Sequence, residues 1–166
     1  MSDYFATLAR YHRWASERLL ESIAPLSDED YRRDVGLFFD SIHGTLNHLV
    51  VTDDLWFARF SEGRSPVIAH DAEASSDRDE VARLLLAAVG RWDGFVASIP
   101  PTRYGERFDY RTMRGSDVSL PFAATLGHVF NHGTHHRGQI TAAISGAGAK
   151  TPELDLVYML QQEQPT

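Results

Sequence analysis

Thr125–Ile140 reads TLGHVFNHGTHHRGQI and carries four of the chain's eight histidines, His128, His132, His135 and His136. Apolar residues recur around them at helical spacing: Phe122, Leu126, Val129 and Phe130 before, Ile140 and Ile144 after. The pattern predicts a helix. On a helix, side chains four residues apart lie one above the other. His128, His132 and His136 therefore form one stripe, while His135 points about 100° away from His136. Histidine is a middling helix former, so propensity does not account for the cluster. If the face is buried, each ring must satisfy two nitrogens. A divalent metal shared by two histidines at i and i+4 meets that need for both. The zinc-protease helix uses the same spacing but has Glu after its first histidine, and here Gly133 follows His132, so a metalloprotease is excluded. The plainer alternative is a hydrogen-bonded histidine face without metal.

Three more helices precede this one. Ser2 or Asp3 can cap the first, which runs to about Ile23 on a stripe of Phe5, Leu8, Tyr11, Trp14, Ala15, Leu19 and Leu20. Pro25 stops it, Ser27–Asp30 reads as a capped, solvated turn, and Tyr31–Leu37 is ambiguous. A second helix starts near Phe39 or Ser41 and runs to about Phe60, with Gly63 and Pro66 marking its end. Arg64–Ser76 reads as a loop. Ser76 or Asp77 opens a third helix, which Pro100-Pro101 closes. The period then changes. Phe108, Tyr110 and Met113 alternate with polar neighbours, Arg114–Asp117 is a turn, and Val118 and Leu120 follow, as in a short β-hairpin. Pro121 sits near the start of the histidine helix, Gly146-Ala147-Gly148 frays its end, and Glu153–Gln161 reads as a last short helical piece. The expected fold is all-α: a single-domain four-helix bundle over residues 1–166, with a β-hairpin insert between the third and fourth helices.

Metal sites in such bundles form inside, from side chains on facing helices. The second helix offers His43 and His48 in HGTLNHLVVTDDLW. They are five residues apart, about 140° around the helix, so only one can face a given interior point. His48 and Thr52 share a face with Trp56, which favours His48. His128 competes, but it is two turns from His136, roughly 12 Å along the axis. It is better placed as a pocket residue. His12 and His70 read as structural or solvated. Trp14, Trp56, Trp92 and the Phe stripes read as core. Tyr11, Asp53 and Tyr110 could line a pocket but read first as packing or hydrogen-bonding residues.

Composition sets outer bounds. The 166 residues suffice for one sizeable core. Cysteine is absent, which excludes disulfides, thiolate ligands and a cysteine nucleophile. Any thiol chemistry must use an external thiol. A net charge of −7, with no Lys/Arg block, argues against nucleic-acid binding. Met1–Ala6 carry no basic leader, and no stretch is long enough to span a bilayer, so a cytoplasmic protein without membrane contact is expected.

NHLVVTDDLW at Asn47–Trp56 and NHGTHHRGQI at Asn131–Ile140 resemble the DinB family, within the DinB/YfiT-like superfamily. YHRWASERLL at Tyr11–Leu20 and PELDLVYML at Pro152–Leu160 are similar to that family's opening and closing segments. The resemblance covers most of the chain. It implies a four-helix bundle holding one divalent metal through one histidine of the second helix and two of the last. These fall on His48, His132 and His136. Imidazole chemistry leaves the ion open among zinc, nickel and iron, with copper equally suited. Asp53 matches the family's acidic position after the first ligand, and Arg137 and Gln139 match its Arg-Gly-Gln run, read as structural support. Ser16 departs from the pattern, where Asn is more usual; this touches the first helix and not the ligands.

Two function classes follow. Three histidines on one ion leave a coordination position open, as in catalytic sites. Superfamily relatives include thiol-dependent isomerases and thiol S-transferases. The resemblance thus implies a metal-dependent enzyme acting on a small molecule with an external low-molecular-weight thiol. The alternative is a metal-binding stress or interaction protein without turnover. A homodimer is expected from the resemblance and from the prevalence of two-fold pairing.

Overall fold

The computed structural model describes residues 1–69 and 72–164, so His70 lies outside the described residues. The described chain is mostly helical, with six α-helices and one two-stranded antiparallel sheet. They run α1 (Ser2–Ile23), α2 (Asp28–Arg32), α3 (Ile42–Glu62), α4 (Arg78–Ser98), β1 (Arg107–Arg111), β2 (Asp117–Pro121), α5 (Phe122–Gly146) and α6 (Leu156–Gln162).

Local chemistry explains most boundaries. Ser41 and Asp77 cap α3 and α4 by accepting from the backbone N–H of Gly44 and Glu80. Gly63 ends α3 in the left-handed region at φ 63°, where a Cβ would be strained. The first helix differs from expectation: Met1 stands at its N-cap and no side chain caps it. Ser27–Asp30 is also more than a turn. Ser27 caps α2, whose Tyr31 is fully buried. A 3₁₀ turn at Pro101–Gly105, unforeseen in the sequence, leads into the hairpin.

The four long helices pack pairwise, α1 against α4 and α5, and α3 against the same two. Two large apolar clusters fill the interior between the long helices, and a small third one joins Tyr11, Ala15 and Met159 under the C-terminal segment. The first large cluster gathers Leu19, Leu46, Leu49, Leu85, Ile140 and Ile144. The second gathers Phe5, Trp92, Val96, Phe122, Leu126 and Phe130. Between these two, at mid-height along the helices, sit the buried polar residues His12, Ser16, Asp53 and Arg137. The hairpin pairs Phe108 with Leu120 and Tyr110 with Val118. Its inward face lays Phe108 on Phe60, with ring centroids 4.1 Å apart, and so covers the second cluster. The C-terminal segment is tied to α1 by Tyr11 Oη, which donates to the Leu154 carbonyl at 2.8 Å, and by the Arg10–Glu163 pair.

Candidate metal centre

Helical spacing on α5 puts His132 and His136 on one face, and α3 runs beside that face with His48 turned toward it. Their ring nitrogens converge. His48 Nε2 lies 3.3 Å from His132 Nε2, which lies 3.1 Å from His136 Nε2. One ligand nitrogen from each ring falls within 4.8 Å of the others, a set that could hold a metal ion. Two nitrogens bound tetrahedrally at zinc–nitrogen distances of about 2.05 Å stand about 3.3 Å apart, which matches the two contacts. Hydrogen bonding cannot serve the triad equally well. The single in-plane site of His132 Nε2 cannot both donate to one neighbour and accept from the other.

The chain also prepares the donors. His136 Nδ1 donates to Gln139 Oε1 at 2.7 Å, so its proton sits on Nδ1 and the Nε2 lone pair faces the triad. Burial pushes His132 down to about 4, with His136 and His128 adding to the effect. Burial likewise lowers His136. Both rings are thus neutral and able to ligate at neutral pH. Phe39 stacks on His48 with centroids 3.8 Å apart. It is delivered by a tight turn in which Asp40 adopts φ 62°. A cavity of about 320 Å³ lined by Phe38, Phe39, Asn47, His48 and Glu73 opens beside His48.

The remaining histidines have other work. His43 turns away, with Nε2 3.1 Å from Glu73 Oε1 and Nδ1 3.3 Å from the Tyr31 hydroxyl. His135 is exposed. His128 continues the stripe beyond the triad, its ring 5.7 Å from His132 and 5.3 Å from Trp56. It lines a cavity with Trp56 and Tyr110, as expected of a pocket residue. Trp56 meets the expectation of a core residue only in part: it packs against the second cluster but is half-buried and lines that cavity, whereas Trp92 is fully buried.

Behind the triad lies a buried relay. Arg137 Nη1 donates to His12 Nδ1 at 3.0 Å, so the His12 proton sits on Nε2, which donates to Asp53 Oδ1 at 3.0 Å. Trp92 Nε1 donates to the same oxygen at 2.7 Å. Burial alone would raise the Asp53 carboxyl, but His12, Trp92 and Arg137 together outweigh it and hold it below its ordinary value. Asp53 and Arg137 therefore brace α1, α3, α4 and α5 at the level of the ligands.

The profile of the DinB family matches residues 1–166. The chain belongs to the DinB family. It is similar to Protein DinB of Bacillus subtilis (strain 168), with 26% identity over 161 residues, spanning 93% of this chain and 92% of that protein. No solved structure matches it. Within this family member, His48, His132 and His136 are the residues whose geometry could hold a metal. Phe39 and Gln139 complete the surroundings. Gln139 was legible as part of the Arg-Gly-Gln run. Phe39 carries no sequence signal of its role, because the turn at Asp40 brings it onto His48.

Proposed function

We propose that this DinB-family protein is a metal-dependent enzyme that transfers an external low-molecular-weight thiol to a small electrophile, using one zinc, nickel or iron ion on His48, His132 and His136. The observation that carries the metal is the convergence of three Nε2 atoms, with His136 locked in the ligating tautomer by Gln139. A divalent ion there would supply Lewis acidity and favour the thiolate over the thiol. The residues of the chain do the rest. Phe39 shields one side of His48, His128 and Trp56 wall the approach along α3 and α5, and the buried relay keeps the two ligand-bearing helices in register. The absence of cysteine fits a nucleophile brought from outside. The frame of this reading is a four-helix bundle of α1, α3, α4 and α5 in one domain. Its setting is the cytoplasm, where such thiols are kept reduced. Among the described residues no helix is long and apolar enough to cross a membrane. Its assembly is a homodimer, and the net charge of −7 speaks against nucleic acid as a partner.

The test is elemental analysis of protein purified without a histidine tag, followed by assays with glutathione, bacillithiol and mycothiol against a panel of electrophiles. The expected result is one metal per chain, lost in His48→Ala, His132→Ala and His136→Ala but retained in His135→Ala, with turnover only in metal-bearing protein. Equal metal loss in all four variants would overturn the ligand assignment. Metal binding without turnover above the His48→Ala background would leave a metal-binding protein that is not an enzyme.

A further inference from the structure

The stripe His48, Thr52, Trp56 on α3 runs beside the stripe His136, His132, His128 on α5. Along their outer edges a row of rings leads from the triad to the hairpin. The rings follow in sequence: His132 to His128 at 5.7 Å, His128 to Trp56 at 5.3 Å, and Trp56 to Tyr110 at 5.3 Å. A cavity of about 390 Å³ lies over this row, walled by Trp56, Tyr110, Leu120, Pro121, Thr125 and His128. A second cavity, of about 520 Å³, shares Tyr110 with it and reaches Arg59.

Arg59 is the anomaly. It is only 5% exposed, and its guanidinium stands over Trp56 and Tyr110 at 4.6 and 4.7 Å. Its Nη2 donates to the Arg111 carbonyl at 3.1 Å, and its Nε is buried with no hydrogen-bond partner. Among the described residues no carboxylate pairs with it. Two acids line the same cavity. Asp117 is bound to Arg111 at 3.0 Å, and Asp109 is exposed on the strand face opposite Tyr110. A buried cation without a counter-charge is costly, and a guanidinium matches a carboxylate bidentately. Arg137 Nε is likewise buried without a partner, but there the charge is balanced by Asp53 through His12, and Arg59 lacks that counter-charge.

We propose that the cavities along this row bind an elongated small acid, its carboxylate on Arg59, its apolar body against Trp56 and Tyr110, and its other end at the histidine triad. His48 and Arg59 are eleven residues apart on one helix, so the ligand spans roughly 16 Å. This deepens the thiol-transfer reading by naming an acidic ligand. It rests on the metal only for the end at the triad.

Calorimetric titration tests the two ends separately. On metal-free protein, undecanoate is compared with undecanol. The acid should bind roughly ten-fold more tightly, the preference expected of a charge-assisted hydrogen bond. That preference should vanish in Arg59→Gln. It should also vanish in Leu120→Glu, which places a carboxylate at the partly exposed mouth of the cavity. Equal affinity for acid and alcohol, or a preference that survives both substitutions, would overturn the proposal. On metal-loaded protein, ω-mercaptoundecanoic acid should bind more tightly still than undecanoate, and His132→Ala should remove that gain. An acid preference without a gain from the thiol upholds the Arg59 end, and the metal–thiol reading is then what falls.

Discussion

Gln139 decides which nitrogen of His136 is offered to a cation. Its Oε1 accepts from Nδ1 at 2.7 Å, and removing that acceptor frees the ring to flip or change tautomer. Gln139→Leu is expected to keep the three ligands but weaken metal binding by roughly 10–100-fold. Competition against a chelating dye measures this, and an affinity within two-fold of the parent protein would refute the orienting role. His132 supplies a pH dependence whose sign is fixed by its environment. Burial first, then His136 and His128, lowers it from 6.5 to about 4. A depressed folded value means that protonation favours the unfolded chain. The contribution is fully present above the unfolded value of 6.5 and is lost as pH falls toward 4. The urea midpoint of metal-free protein should therefore drop across that window, and His132→Asn should flatten the drop. A midpoint that falls equally in the variant would assign the effect to other groups. At this scale His132 and His136 were readable from i, i+4 spacing, His48 from the face it shares with Trp56 and from the family resemblance, and Gln139 from the Arg-Gly-Gln run. Arg59 was not. Its place one turn beyond Trp56 on the histidine stripe is a signal, but nothing in sequence says that it lacks a carboxylate.

Close contact between α1 and α5 depends on Gly133. A Cβ there would stand 2.5 Å from His12 Cε1 and 2.7 Å from its Nδ1. That ring cannot step aside, because Arg137 and Asp53 hold it from both nitrogens. Gly133→Ala should destabilise the fold by about 1–3 kcal/mol, the usual cost of overpacking. Urea unfolding reads this directly, and an unchanged midpoint would show that α1 and α5 separate freely. Long helices were legible because their apolar stripes and caps agree, as with Ser41 and Gly63 on α3. The short α2 and the 3₁₀ turn at Pro101–Gly105 were not. An isolated turn has too little propensity to announce itself, and burial of Tyr31 and Tyr104 is what holds these two in place.

Over the whole molecule, two apolar clusters flank a polar layer of His12, Ser16, Asp53 and Arg137. The triad sits at the same level on the α3–α5 side. Such a layer fixes helix register, since sliding one helix by a turn would bury Asp53 or Arg137 without its partner. Phe38, beside the triad, is 71% exposed, an apolar surface that fits pairing with a second copy. Light scattering should give twice the 18.6 kDa chain mass, and a monomer at high concentration would refute the dimer. By itself the sequence determined the long helices, the hairpin, the family, and the three histidines that could bind metal. Periodicity states which side of each element is apolar and which residues share a face. Only the tertiary structure decided that His12 links Arg137 to Asp53, that Phe39 covers His48, and that Trp56 lines a cavity as well as packing on the core. Those facts depend on which face of one element meets which face of another, and no repeat within a single element carries that information.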